Sequence, residues 1–264
     1  MKKTTLLLLF IITIASCKDK AGTNATIEPQ SNGHVTKPRY PDNLVKVFGA
    51  HGGLDTWKAM RSLEFSIERP DGFEITTTDL KERYALVEMP GRTIGFDGES
   101  VWMSSNKNTE FEDDPRFYYN AMFYRYAMPF VLADGGINYE DAKPLTFQDT
   151  SYPGIKISFN HEIGNSPMDE YVLYYDKDTF QMVWLGYTAT LGQNQKNNDW
   201  HFIKYVAWQE VEGLLLPEAI NLYNVENNLP TTVKDSLTFS HMSLSTDRMA
   251  LRMYMMPDGA EVVQ

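Results

Sequence analysis

Five histidines and a few paired carboxylates are the side chains in this chain with the most chemistry to offer. His51 precedes Gly52-Gly53 at the end of a short apolar helical pattern. An imidazole there can cap carbonyls and interact favourably with the helix dipole. That structural role suits it better than metal ligation, because no second His or Cys lies at ligand spacing. His201 and His241 fall in alternating apolar stretches beside Trp200 and Phe239 and could meet across a sheet. Two histidines and a carboxylate can hold a metal. His34 sits in a polar stretch and reads as solvated, and His161 reads as a loop residue. Asp113-Asp114 reads as loop and helix cap, and Asp169-Glu170 as the solvated start of a strand. No Gly-x-Ser-x-Gly elbow, Walker loop, His-Glu-x-x-His or paired-Cys motif occurs. No catalytic residue, metal site or cofactor is therefore assigned.

The single cysteine, Cys17, excludes an intrachain disulfide. Its surroundings point to another use of the thiol. Met1-Lys2-Lys3 is a positive start, and Leu6 to Ile14 is an apolar core too short for a stable membrane span. Ile14-Ala15-Ser16-Cys17 then sets an aliphatic residue and two small ones before the cysteine. This resembles the lipobox of bacterial lipoproteins. The resemblance implies diacylglyceryl transfer to Cys17, cleavage before it, and an N-terminus carrying acyl chains such as palmitate. At about 0.8 kcal/mol per buried methylene, two or three such chains anchor a protein essentially permanently. Asp directly after the cysteine is the familiar signal for inner-membrane retention. Lys18 stands there, with Asp19 next, which implies the outer membrane.

Residues 1–16 thus read as a lipoprotein signal peptide. Residues 17–41 are polar, contain Gly, Pro and Ser, show no periodicity, and read as a lipid-anchored flexible tether. Residues 42–264 read as one globular domain. The formal net charge is −11, and −13 once Lys2 and Lys3 leave with the signal peptide. Such a surface repels nucleic acid and anionic headgroups.

The elements that must position any site are legible from periodicity. Pro41-Asp42 opens a short helix carrying Leu44, Val45, Val47 and Phe48, and a second runs from Asp55 to Arg61. Strands follow by alternation. Leu63, Phe65 and Ile67 oppose Glu64, Ser66 and Glu68, and further strands run to Ser104, with a hairpin across Asp97-Gly98. The stretch from Phe117 to Gly136 is the longest apolar run after the leader. Asp114-Pro115 starts a helix there, Gly135-Gly136 stops it, and Pro129 kinks it. Asn120, Arg125 and its tyrosines argue against a membrane span. A helix apolar on nearly all sides is buried on most of them. Beyond it lie more strands, with Leu216-Pro217 read as an edge or strand start.

The expected fold is α+β, mainly β. It is a large curved antiparallel sheet, or unclosed barrel, of about eleven strands with the central helix on its concave face. Apolar residues on both faces of Glu170–Tyr175 and Trp200–Trp208 mean that both faces are covered, or that one lines a cavity. Tyr118, Met122, Arg125, Tyr126 and Phe130 of the helix, with Trp184 and Trp200 of the strands, are the expected ligand-binding residues.

Ala50-His51-Gly52-Gly53-Leu54-Asp55-Thr56-Trp57, running into Met60-Arg61-Ser62-Leu63, resembles the opening of a group of uncharacterised bacterial lipoproteins with a domain of unknown function. Gly95-Phe96-Asp97-Gly98 before Val101-Trp102, Ala127-Met128-Pro129-Phe130, Asp169-Glu170-Tyr171 and Trp184-Leu185-Gly186-Tyr187 match as well. At the level of fold the chain also resembles Lol-type lipoprotein carriers. Those resemble an unclosed antiparallel barrel whose helices plug a hydrophobic hollow that takes acyl chains. The two-sided apolar strands, the kinked aromatic helix and the lipoprotein leader point to a membrane-anchored protein of the cell envelope that binds an apolar ligand such as a lipid or acyl chain. The alternatives are a structural or interaction lipoprotein with a filled core, and a hydrolase or metal enzyme using His51, His201 or His241.

Overall fold

The computed structural model describes residues 39–106, 111–160, 168–190 and 195–263. The leader, Cys17, His34 and His161 lie outside the described residues.

Two short helices come first, α1 (Asp42–Ala50) and α2 (Leu54–Ala59). α1 turns Leu44, Val47 and Phe48 inward. Gly52 separates the two helices at φ 97°, and a Cβ there would stand 2.1 Å from the carbonyl oxygen of Gly213. Tyr40 precedes α1, and its hydroxyl donates to Ala133 O at 3.0 Å, so the packed chain begins within the stretch read as tether.

Five strands then meander: β1 (Ser62–Arg69), β2 (Gly72–Asp79), β3 (Ala85–Met89), β4 (Arg92–Phe96) and β5 (Val101–Ser105). α3 (Pro115–Tyr126) and a 3-10 turn (Phe130–Ala133) interrupt them. Seven strands meander back: β6 (Ile137–Phe147), β7 (Thr150–Phe159), β8 (Glu170–Tyr175), β9 (Met182–Thr188), β10 (Trp200–Val211), β11 (Leu214–Glu226) and β12 (Leu229–Ser245). β12 pairs with β1, which joins the two meanders into one sheet. The short β13 (Glu261–Val262) adds to β5. The order is β13-β5-β4-β3-β2-β1-β12-β11-β10-β9-β8-β7-β6, every pairing is antiparallel, and the sheet is unclosed.

The count is thirteen strands rather than about eleven. β13 is too short to alternate. β6 begins at Ile137, not Leu145: only Ile137 and Tyr139 pack on the core there, and polar Asn138, Glu140, Asp141 and Lys143 of this edge strand mask that face in the sequence. Pro217 does not mark an edge. It lies inside β11 opposite Trp208, where the β10–β11 register shifts and a missing N–H is tolerated.

The start of α3 is as expected: Asp114 Oδ1 accepts from Arg116 N at 2.9 Å, with Pro115 at the first turn. Its end is not. The helix stops at Tyr126, the Met128–Pro129 peptide is cis, and the chain resumes as the 3-10 turn. Proline without an N–H has ended the helix rather than kinked it.

The sheet curves around α3. Tyr126 stacks on Phe65 of β1 at 4.2 Å and meets Phe239 of β12 at 4.9 Å. Tyr118 reaches Glu74 of β2, Tyr119 stacks on Phe96 of β4, and Tyr124 lies 6.2 Å from Tyr171 of β8. The Tyr205 hydroxyl of β10 donates to Arg125 O at 2.8 Å. Strands from both meanders can reach one twelve-residue helix only if the sheet bends round it, which puts α3 on the concave face. Among the described residues no helix is long and apolar enough to cross a membrane.

Three in-sheet glycines face aromatic partners: Gly95 opposite Trp102, Gly154 opposite Tyr174, and Gly186 opposite Phe202. A Cβ would meet those rings at 2.1, 2.8 and 3.1 Å, so each ring folds over the bare backbone of its neighbour. This is the physical content of the spacing from Gly95 to Trp102. The indole there is buried and donates to Tyr254 O at 3.0 Å.

Candidate functional site: an aromatic cleft beside the central helix

One side of α3 is left uncovered by the curved sheet. Phe117, Asn120, Ala121, Tyr124 and Arg125 recur at helical spacing and form one wall of a cleft of about 760 Å³. The facing wall comes from Tyr171 of β8, Leu185 and Tyr187 of β9, and Ile203 of β10. Register puts Tyr171 opposite Tyr187 and Leu185 opposite Ile203, so these four share a face. The third side is the other end of the sheet: Phe96, Val101 and, after β5, Val262 and Val263. The cleft therefore lies where the two ends of the open sheet approach the same helix.

Its chemistry is aromatic and rich in donors. Tyr171 and Tyr187 stack at 6.0 Å. Burial pushes the Tyr171 phenol well above its ordinary range, with Asp169 adding to the rise, and burial pushes Tyr124 up to about 12. Both are neutral donors at neutral pH. Arg125 makes no ion pair among the described residues, and its hydrogen bond goes to Met122 Sδ at 3.4 Å, a weak acceptor. At the rim Arg116 and Asp114 neutralise each other at 2.7 Å.

Asp169 also borders the cleft, and it is not the solvated strand start expected of it. It is 4% exposed, and its Oδ1 accepts from both the backbone N–H and the hydroxyl of Thr190 at 2.6 Å. Burial raises its carboxyl above the ordinary range, against the pull of those hydrogen bonds. Neighbouring Glu170 is held by Lys156 at 2.9 Å and Lys196 at 2.6 Å.

Residues 92–237, which run from β4 into β12 and make up more than half of the chain, match DUF6503, a family of unknown function. The chain belongs to the DUF6503 family. No curated protein matches it. Among solved structures it is similar to a LolA superfamily protein from Nitrosomonas europaea, at 12% identity and a TM-score of 0.45, covering 75% of this chain and 89% of that one. It is also similar to a DUF1329 family protein from Desulfovibrio piger, at 11% identity and a TM-score of 0.38, covering 77% and 93%. The lipoprotein LppX of Mycobacterium tuberculosis follows at 11% identity and a TM-score of 0.23, covering 56% and 88%.

In this DUF6503 chain, Arg125 is the residue among the seven expected ligand contacts that lines the cleft. Tyr118 does not line the cleft: its hydroxyl donates to Glu74 Oε2 at 2.7 Å and Arg69 binds the same oxygen at 2.9 Å. Burial and the Glu74 charge raise the Tyr118 phenol above its ordinary value. Met122 and Tyr126 are buried in the core. Phe130 is stacked on Trp57 at 5.0 Å. Trp184 and Trp200 lie on the other face of the sheet, in a second apolar cluster with Val172, Tyr174 and Phe202. The wall residues Asn120, Ala121 and Tyr124 were not expected. The signal for them was Asn120 and Arg125, polar residues beyond the first turn of the helix, which share a stripe with Phe117, Ala121 and Tyr124.

The histidines do not gather in this DUF6503 fold. His51 is fully buried: Nδ1 lies 3.2 Å from Leu215 O, and Nε2 accepts from Met182 N–H at 3.0 Å. Burial lowers its pKa to about 4, so it is neutral and ties the end of α1 to β9 and β11 rather than offering charge to the helix dipole. His201 stacks on Tyr187, His241 meets Phe73, and β11 lies between their strands, so they do not pair across the sheet. Among the described residues no three His, Cys, Asp or Glu side chains gather where a metal could sit.

Proposed function

We propose that this protein is a lipid-anchored binding protein of the cell envelope that holds an apolar chain, such as an acyl chain, in the cleft beside α3. The observation that carries this reading is a cleft of about 760 Å³ walled on two sides by Tyr124, Tyr171, Tyr187, Leu185 and Ile203. Sites for small molecules are concave, about 300–1,000 Å³ in volume, and mostly apolar with a few placed polar groups. A core helix normally buries every apolar side, whereas here the sheet leaves one stripe of α3 open. A fluorescent fatty acid is expected to bind residues 18–264 saturably with one site per chain. That segment holds every element of the described fold. Linear, non-saturable uptake would contradict the reading.

Anchoring rests on Cys17 behind its leader, and Lys18 after it favours the outer membrane. Cys17→Ala protein is expected to lose acyl label and to leave the membrane fraction on cell fractionation. Acylated Cys17→Ala protein would refute the assignment.

A further inference from the structure

The cleft is apolar along its rings yet has an excess of hydrogen-bond donors at one place. Arg125 brings a permanent positive charge with no carboxylate within ion-pair distance among the described residues. Tyr124, Tyr171 and Tyr187 line the same space, and their hydroxyls make no hydrogen bond among the described residues. Of the three carboxylates that border the cleft, Glu99 sits at the β4–β5 turn on the third side and makes no ion pair among the described residues, and the other two are already engaged. Asp169 Oδ1 takes two bonds from Thr190, and Asp114 is held by Arg116. A half-buried guanidinium beside phenol hydroxyls calls for an acceptor that carries charge, because charge-assisted hydrogen bonds to oxyanions are about twice as strong as neutral ones. The helix is fixed at this point by the Tyr205 hydroxyl on Arg125 O, so the guanidinium has a set origin.

We infer that the ligand is an acidic amphipath: a single hydrocarbon chain lying among the aromatic rings and a carboxylate or phosphate head held by Arg125 and the neighbouring tyrosine hydroxyls. This rests on the binding reading above and narrows it to one chemical class. Neutral chains such as long-chain alcohols fit the same rings and lack the head.

The test is displacement of a neutral fluorescent probe, N-phenyl-1-naphthylamine, from residues 18–264 by hexadecanoate, hexadecyl phosphate and 1-hexadecanol. One or both acids are expected to bind about 10–100-fold more tightly than the alcohol, the range of a hydrogen-bonded charge. Which acid binds better tells the carboxylate from the phosphate. Arg125→Gln is expected to bring the acids down to the alcohol, and a denaturant melt that matches the unmodified protein shows that the variant is folded. Equal binding of acid and alcohol by the unmodified protein, or an acid preference that survives Arg125→Gln, would overturn the inference and leave the binding reading standing. Displacement by acetate or inorganic phosphate as readily as by the long-chain acids would overturn it in favour of a free-anion site. Failure of all three long-chain compounds to displace the probe would overturn the binding reading and this inference with it.

Discussion

Acidification from neutral pH to about 4 will cost the folded protein about 3 kcal/mol through one side chain, His51. Its pKa falls from 6.5 to about 4 on folding because burial disfavours the charged ring, and the hydrogen bond to Leu215 O recovers a little of that. The sign follows from proton binding. Between about 4 and 6.5 the unfolded chain binds the proton and the native state does not, so stability is complete above 6.5 and is lost as pH falls through that window. Carboxylates add to the trend at the acid end. Asp79 and Glu170 are held below their ordinary values by backbone N–H groups and by lysines, respectively, whereas buried Asp169 and Asp134 are raised and oppose it. Denaturant melts at several pH values of the unmodified protein and of His51→Ala separate these contributions. At neutral pH the substitution is expected to cost about 3–5 kcal/mol, because it leaves Met182 N–H and Leu215 O unpaired and opens a cavity against Trp208, 4.4 Å away. The gap between the two proteins should narrow by about 3 kcal/mol as pH falls to about 4. A gap constant with pH would show that His51 titrates alike in both states.

Ala121→Trp will reduce binding of a fluorescent fatty acid more than about 100-fold while leaving the fold intact. Ala121 lies on the stripe of α3 that faces the cleft, between Phe117 and Arg125. An indole adds on the order of 100 Å³ or more to that wall, a large part of the depth available to a chain in a site of small-molecule size. Trp costs a helix little relative to Ala, roughly half a kcal/mol, so the melting transition should barely move. Met122→Trp is the contrasting substitution. Met122 is 1% exposed and packed in the core, so overpacking there should destabilise by about 1–3 kcal/mol. Unchanged fatty-acid binding by a folded Ala121→Trp protein would place the ligand elsewhere.

The elements were legible where a local rule decides them. Asp114-Pro115 started α3, Asp97-Gly98 turned β4 into β5, and alternation marked Leu63, Phe65 and Ile67 as the buried face of β1. Edge strands escaped notice because charged and polar residues from Asn138 to Lys143 interrupt the apolar residues of β6, and β13 is only two residues long. The break at Pro129 could not be told from a kink, since both begin with the same missing N–H. The site was harder still. An apolar helix with aromatic residues on every side does not announce which side the sheet will cover. Tyr118 and Tyr124 look alike in sequence, yet one is claimed by Glu74 of β2 and Arg69 of β1 and the other faces the cleft. Trp184 and Trp200 belong to the outward face, because Gly186 and Phe202 set the register there and Leu185, one residue along from Trp184, takes the cleft face. Only the long-range pairing of β12 with β1 fixes which residues meet, and no local signal encodes it.

The central claim is that the cleft beside α3 holds an apolar chain, and native mass spectrometry of residues 18–264 purified without detergent tests it most directly. A stoichiometric adduct of acyl-chain mass, released by organic extraction and absent from Ala121→Trp, is the predicted result. A bare protein mass that stays bare after incubation with hexadecanoate would contradict it.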